Sequence, residues 1–428
     1  MNLKQADDYL KGLKKFGIRL RLEHIERLLS LLGNPHKGLK CLHIAGTNGK
    51  GSVCAYLNSI LIEAGFKVGL YTSPHFYKLN ERIKFNNVMI SDRELARLTG
   101  IVKPAVQKVS KELGDLTFFE VTTAIAFLYF VEKKTDFVVL EVGLGGRLDA
   151  TNVVEPLVSV ITSISREHVD FLGSDIEDIA REKASIIKES GLVVTAASGK
   201  ALKVIEEKCQ ERKAVLCVVG EEVLFRRKQQ SLVRQDFRLD FFGKNHNLSI
   251  LLLGRHQMPN AALTFSVIQM LNSFHSLGVS EEAIRRGFLK ARIPCRLELV
   301  QRNPTVFLDG AHNPDGIKKL AHALTEFKHD RTILVFGCSY NKEYEKMLSA
   351  FIPMPDSVII TETKLATPLA GSKLVSEFKK YVKDVALETD VKNAVKKAIS
   401  KACVNDIVVV AGSLYVAGEA RRFWRKKL

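Results

Sequence analysis

The spacing of apolar positions along this chain changes in a regular way. Residues 39–46, LKCLHIAG, form a short apolar run of strand length. After Ser52 the spacing becomes helical: Val53, Leu57, Ile60, Leu61 and Ala64 recur three and four apart, and Gly65 is placed to end the helix. The run KVGLYTS then reads as a second buried strand. Strand, glycine-rich loop, helix and strand in this order make a βαβ unit, which requires a parallel sheet. More buried strands are predicted at 137–143 (FVVLEVG), 157–164 (LVSVITSI) and 192–197 (LVVTAA). From about 215 to 253 the pattern alternates and is rich in β-formers and polar turns, which predicts an antiparallel insertion.

A second alternation starts at Arg296. TVFLDGAHN, TILVFG, SVIIT and DIVVVAGS look like strands, separated by helical stretches near 314–327, 341–351, 372–383 and 390–402. The boundary is expected near RIPCR, 292–296, where proline interrupts a helix. The expected fold class is α/β. A P-loop-type, mainly parallel sheet domain with an antiparallel insertion spans 1–294, and a smaller Rossmann-like α/β domain spans 295–428.

The loop of the first βαβ unit, HIAGTNGKGS (43–52), departs from the usual phosphate-binding spelling, because Gly51 separates Lys50 from Ser52. The physics of such a loop is nevertheless present. Gly46, Gly49 and Gly51 permit close backbone approach, Lys50 supplies charge, and Ser52 opens the helix. Between a buried strand and an amphipathic helix, this cluster points to a nucleotide.

Composition narrows the picture. The 428 residues are 46% hydrophobic and 26% charged, which describes a globular chain. The first residues, MNLKQADDYLKGLKKF, have no apolar h-region, and no eighteen-residue apolar run occurs, so neither a secretory signal nor a membrane span is expected. The seven cysteines form no C-x-x-C pair, which suggests a reduced, cytoplasmic protein without a zinc site. The charge of +17 (64 basic against 47 acidic residues) invites a nucleic-acid reading. The excess is spread out, however, and the dense run RRFWRKK also fits a solvated helix end.

Several motifs in order resemble one branch of the Mur ligase superfamily, the folylpolyglutamate synthases and dihydrofolate synthases. They are G-T-N-G-K-G-S, FGIRLRLEHIERLLSLLGNP, TSPHF, LTFFEVTT, LEVGLGGRLDATN, ITSISREHVDFLG, IAREKASIIK, GRHQMPNA, RLE, DGAHNPDG and GSLYVAGE. They run through nearly the whole chain. The resemblance implies ATP binding by Asn48, Gly49, Lys50, Gly51, Ser52, Asn260, Arg296, Asp309 and His312. It implies two Mg²⁺, held by Ser73, Glu141 and His168, with Lys183 carbamylated beside them. The catalytic set would be Lys50, His168, Lys183 and Arg296. A pterin would lie against Leu20, Arg21, Leu22 and Glu23, Thr117, Phe118, Phe119 and Glu120, and Leu148, Asp149 and Ala150. For the incoming glutamate, His312 and Ser413 are candidates only.

The residues carry some of this by themselves. Glu141 ends a buried strand beside a glycine turn, where a hard carboxylate suits Mg²⁺, though a structural ion pair is the alternative. Arg296 has the fork geometry that suits phosphate, and Asp309 ends a strand where it can accept from a ribose hydroxyl. Phe118 and Phe119 fit a core equally well. Lys183 on a helix reads first as solvated, and burial would favour the neutral amine that CO₂ requires. The chain departs from the family at Arg21 and Cys295, where glycine is common, at Ser165 and Glu167 around His168, and at Ser185 after Lys183.

The expected activity is ATP-dependent joining of L-glutamate to dihydropteroate, to tetrahydrofolate, or to both, through an acyl phosphate. The chain is expected to work as a monomer on small molecules, with no nucleic-acid or membrane partner. The alternatives are a Mur-type ligase acting on a UDP-sugar peptide and a nucleic-acid-dependent P-loop ATPase. The motifs TFFE and GGRLDATN weigh against the first, and no Walker B acidic strand or recognition module supports the second.

Overall fold

The computed structural model describes residues 1–17, 19–166, 172–340, 342–351, 353–364 and 367–424. They form two compact units. The first comprises Met1–Phe225, Leu239–His246 and Pro259–Lys290; the second comprises Arg226–Arg238, Asn247–Met258 and Ala291–Leu428.

The first unit is built on an eight-stranded sheet. In chain order its strands are β1 Cys41–Ala45, β2 Val68–Tyr71, β3 Ile83–Phe85, β4 Val88–Met89, β5 Phe137–Glu141, β6 Pro156–Ile161, β7 Leu192–Thr195 and β8 Val215–Val218. Their spatial order is β4-β3-β2-β5-β1-β6-β7-β8. In the spatial run β2-β5-β1-β6-β7-β8 every pairing is parallel, and β3 alone runs against the others, pairing antiparallel with β2 and with β4 in the β3–β4 hairpin. That hairpin turns on Asn86 and Asn87, both at positive φ (46° and 65°), as a two-residue turn requires. β1 lies between β5 and β6, with His43 level with Leu140 and Ser159, and all five of its residues are buried. A parallel strand covered on both faces reads as an unbroken apolar run.

The helix Lys50–Glu63 begins two residues earlier than its apolar spacing marks. The helix Glu281–Lys290 crosses it at Gly287, where a Cβ would stand 2.5 Å from Ile60 Cα. Side chains from the helices Leu3–Leu13, Glu23–Leu31, Asp92–Leu113 and Phe118–Glu132 form one core with Tyr71, Val138 and Leu140.

The insertion is a three-stranded sheet in the order β11-β10-β9: β9 Val223–Gln230, β10 Gln235–Phe241 and β11 Lys244–Ile250. Connections this short permit only antiparallel pairing. The second of them is Phe242-Gly243, with φ of 47° and 81°.

In the second unit the six-stranded sheet has the order β12-β13-β17-β14-β15-β16. Its strands are β12 Glu298–Arg302, β13 Thr305–Leu308, β14 Thr332–Phe336, β15 Ser357–Glu362, β16 Asp384–Asp390 and β17 Ile407–Ala411. All pairings are parallel except β12–β13. The helices Pro314–Leu324, Tyr344–Ala350, Gly371–Phe378 and Val391–Lys401 connect them. The segments 226–238 and 247–258 join this unit partly through Glu326, which holds Arg227 at 2.8 Å and also pairs with Arg255.

Candidate active site

The loop after β1 lies beyond the carboxyl ends of the central strands, where open α/β sheets collect ligands. Gly46 has φ +140°, and a Cβ there would fall 1.8 Å from Thr162 Oγ1. Gly49, at φ +96°, precedes the helix Lys50–Glu63, and a Cβ on it would lie 2.5 Å from Asn260 Oδ1. Only glycine fits either position. The loop is fixed from the β6 side: Thr47 N donates to Ser163 O at 2.8 Å, and the Thr162 and Ser163 hydroxyls reach Asn48 O at 2.8 and 3.2 Å. Thr47 Oγ1 donates to Ser165 O and accepts from Ser165 N. No side chain caps the helix that Lys50 opens, so its positive end faces this loop. Ser52 is buried in the first turn.

Two lysines meet at one carbonyl oxygen. Lys50 Nζ donates to Gly46 O at 2.7 Å and to Thr47 O at 3.0 Å, while Lys183 Nζ reaches the same Gly46 O at 3.1 Å. Lys183 is only 5% exposed, so the solvated reading does not hold. Its helix, Ile176–Ala184, is pressed against the glycine turn after β5: a Cβ on Gly146 would stand 2.5 Å from Glu182 O. Ser185 caps that helix with αR geometry and bonds Arg181 O, so it needs no glycine.

Glu141 is buried at the end of β5. Its Oε2 accepts from Ser73 N at 2.9 Å, and its Oε1 lies 3.9 Å from where a Gly51 Cβ would be. The glycine loop, Ser73, Glu141, Lys183 and Asn260 are thus brought together within the first unit. His168 and Glu167 lie outside the described residues. Among the described residues no group of three His, Cys, Asp or Glu side chains forms a metal cluster.

The residues expected around a pterin also converge. Arg21 Nη2 donates to Asp115 O at 2.5 Å, and its Nε lies 3.8 Å from Glu120 Oε1. Both of those atoms are buried without a hydrogen-bond partner among the described residues. Thr117 and Glu120 form the capping box of the helix Phe118–Glu132, so both have a structural task. Phe119 lies over Gly143, where a Cβ would be 2.6 Å from its ring, and Leu20, Leu22, Phe118 and Leu148 are half-buried. Glu23 is exposed on the first turn of its helix.

Asp149 is turned inward. Its carboxylate accepts from Leu144 N at 2.9 Å, Thr151 N at 3.0 Å and Thr151 Oγ1 at 2.5 Å. Burial pushes its pKa up, against the pull of these bonds. Thr151 in turn is bonded to His43 Nε2 at 2.8 Å, which ties the turn to β1. Burial, with Lys188 adding to it, lowers the His43 pKa to about 3, so the ring is neutral, and because the Thr151 hydroxyl gives its proton to Asp149, it is His43 Nε2–H that donates and Thr151 that accepts. Ala150 is buried in the core beside this turn.

In the second unit Arg296 lies against the turn after β13, with Nη1 3.0 Å from the Cβ position of Gly310. Asp309 accepts from Leu297 N at 2.7 Å and Ala311 N at 2.8 Å. Burial raises its pKa, and the Arg296 guanidinium opposes the rise. His312 Nδ1 bonds Gly310 O at 2.9 Å. Cys295 and Leu297 flank Arg296 at φ 53° and 43°, which explains why a glycine suits position 295. Ser413 follows β17 and is only 3% exposed.

Two sequence profiles match the chain: the Mur ligase middle domain over residues 44–268 and the Mur ligase glutamate ligase domain over 295–414. This sets the class, an ATP-dependent ligase of the Mur type. A dihydrofolate synthase/folylpolyglutamate synthase of Bacillus subtilis is 39% identical, over 97% of this chain and 98% of its own. The Mycobacterium tuberculosis folylpolyglutamate synthase structure, complexed with ADP and AMPPCP, aligns with a TM-score of 0.90 at 31% identity, covering 99% of this chain and 98% of that one. The Thermotoga maritima folylpolyglutamate synthase aligns at 0.87 and 34%, with the same coverage. The chain belongs to the folylpolyglutamate synthase/dihydrofolate synthase family.

Proposed function

We propose that this ligase joins L-glutamate to dihydropteroate in at least one of its reactions and to folates that already carry glutamate in another. The observation that supports this most is one constellation: the glycine loop, two lysines on Gly46 O, and Glu141 beside Ser73, next to an aromatic and polar wall from 20–23, 117–120 and 148–150.

A carboxylate is a poor acylating group because its oxide leaves badly. The substrate carboxylate therefore attacks the γ-phosphorus of ATP, ADP departs, and an acyl phosphate forms. The glutamate amine then attacks the carbonyl carbon, the C–O bond breaks, and inorganic phosphate leaves with the electron pair. The chain contributes position and charge. Backbone N–H groups at 48–52 hold phosphate oxygens, Lys50 exchanges its loop carbonyls for a phosphate, and Asn260 lies against Gly49 on the nucleotide. Arg296 is assigned to phosphate, Asp309 and His312 to the nucleotide, and His312 and Ser413 to the incoming glutamate. In sequence terms the nucleotide-holding part is 1–294 and the glutamate-ligase part 295–428.

Mg²⁺ binds through few protein oxygens, keeping waters and phosphates, so the Glu141 carboxylate with the Ser73 hydroxyl fits the ion. Those residues, with His168 for a second ion, would hold Mg²⁺, which neutralises phosphate charge when bound. Lys183 is proposed to be carbamylated. Its burial, with Lys50 on the same carbonyl oxygen, supports this, because a carbamate would replace one of two adjacent cations by an anion. A cytoplasmic monomer is part of the same proposal, and the seven free cysteines suit a reducing compartment.

Product mass spectrometry tests the reading, with ATP, Mg²⁺, glutamate and either dihydropteroate or tetrahydrofolate. Each is expected to gain one glutamate. Gain by a UDP-sugar peptide instead would replace the pterin assignment.

A further inference from the structure

A helix ends with backbone carbonyls that find no partner inside it. The helix Ile176–Ala184 carries Lys183 one residue before its end, and its last carbonyls are satisfied from two directions. Lys183 O and Ala184 O are taken by the chain that follows, from Ile186 N at 3.3 Å and Ile187 N at 3.0 Å. Glu182 O and Ser185 O are taken by the glycine turn after β5. Arg147 N donates to Glu182 O at 3.0 Å, and Asn152 Nδ2 donates to Ser185 O at 3.3 Å.

Asn152 holds both sides of this joint. Its Nδ2 also donates to Arg147 O at 3.1 Å, and its backbone carbonyl accepts from Lys188 Nζ at 3.1 Å. The side chain is 8% exposed. Both partners of the carboxamide are carbonyl oxygens, so its nitrogen has to face them. Oδ1 is left buried with no hydrogen-bond partner among the described residues. A buried acceptor without a partner costs stability and offsets much of what two neutral bonds contribute. What the carboxamide supplies is place, because it fastens the turn 147–152 to the end of the lysine helix.

Lys183 depends on that placement. Its Nζ reaches Gly46 O at 3.1 Å from a buried position, and a Cβ on Gly146 would stand 3.1 Å from Lys183 Cα. Backbone and amine are thus set against two different loops. A slip of about 1 Å at the helix end takes Nζ out of hydrogen-bond range of Gly46 O, and misplacements of that size are costly to catalysis.

We infer that Asn152 is a positioning residue for Lys183: its carboxamide sets where the lysine amine stands, and it acts through that amine rather than on a substrate. The inference rests on the ligase reading above and deepens it.

The test uses two variants. Asn152→Ala removes the carboxamide, and Asn152→Asp keeps its shape but puts a carboxylate oxygen where the donor nitrogen was. For the parent and both variants, kcat is measured with dihydropteroate and with tetrahydrofolate, and Kd for an ATP analogue and for dihydropteroate by titration calorimetry. Occupancy of the Lys183 carbamate is read by ¹³C NMR across a ¹³C-bicarbonate titration. In each variant kcat should fall at least about tenfold with both acceptors, while both Kd values stay within about twofold. The bicarbonate concentration that half-fills the carbamate should rise about tenfold, because the amine that adds CO₂ and gives up a proton no longer stands in place. An unchanged kcat, or Kd values that rise as far as kcat falls, would overturn the inference; the second result is what a merely structural asparagine gives. A parent with no carbamate signal would remove the carbamate, and the split between kcat and Kd would still decide Asn152. A parent that forms no amide with either acceptor would remove the ligase reading, and the bicarbonate titration would still decide Asn152.

Discussion

Replacing Gly46 by alanine tests the geometry of the nucleotide loop most severely. At φ +140° the backbone is in a region that glycine alone occupies without strain, and the new methyl group would meet Thr162 Oγ1 at 1.8 Å and Thr162 Cβ at 2.9 Å. Thr162 is fully buried and holds Asn48 O, so it cannot move without breaking that bond. Strain, overpacking and the lost bond together come to about 3–5 kcal/mol. That is a large part of the stability of an ordinary domain. A unit of this size should lose about 10 °C in Tm. Gly65→Ala is the control: its φ is also positive, at +94°, but nothing lies within 4 Å of the new Cβ. It carries only the backbone cost of about 1 kcal/mol, or roughly 2–4 °C. Thermal unfolding by circular dichroism, with and without an ATP analogue, reads both variants. Gly46→Ala should also bind the analogue at least about tenfold more weakly, because Gly46 O anchors both lysines. If the two variants lost the same few degrees, the contact between Gly46 and Thr162 would contribute nothing and the loop geometry would be wrong.

Other outcomes are equally definite. Lys183→Ala should abolish ligation while ATP still binds, and acetate or formate should restore part of the activity; intact-mass and ¹³CO₂ NMR evidence for an unmodified Lys183 in active enzyme would refute the carbamate. Asp149→Ala should lower stability by about 3 kcal/mol, from three lost bonds to a carboxylate, and damage both ligations together. Selective loss of dihydropteroate ligation at normal Tm would instead mean that the carboxylate meets the pterin directly. His43 has a folded pKa near 3 against an ordinary 6.5, so the unfolded chain binds the extra proton between these values. Stability from this group is complete above about pH 6.5 and falls as the solution is acidified, by about 2 kcal/mol from pH 7 to pH 5. His43→Gln should flatten urea-derived stability over that interval, and an unchanged slope would contradict a neutral His43.

The parts that could be read from the sequence share a physical cause. β1, β5 and β6 are covered on both faces, so each appears as an unbroken apolar run, and the glycine loop between β1 and its helix stands out against it. The helix Phe118–Glu132 is apolar on nearly every face, which leaves no period to detect. Its capping signal, Thr117 with Glu120, is visible in the sequence, where the same two residues also read as part of a pterin wall. The inward turn of Asp149 carries a local sign too, because Thr151 stands two residues on, where an aspartate cap bonds. Thr162 and Ser163 gave no such sign, since their bonds to Asn48 span more than a hundred residues. Lys183 lies in a polar stretch whose burial and neighbours depend on tertiary packing alone.

Activation of the substrate carboxylate by phosphorylation is the step on which the whole mechanism turns. Dihydropteroate labelled with ¹⁸O in its carboxylate, incubated with ATP, Mg²⁺ and L-glutamate, tests it in one measurement. The inorganic phosphate released, analysed by ³¹P NMR isotope shift, should carry one ¹⁸O from that carboxylate for each amide formed. Unlabelled phosphate, or label appearing in AMP, would contradict it.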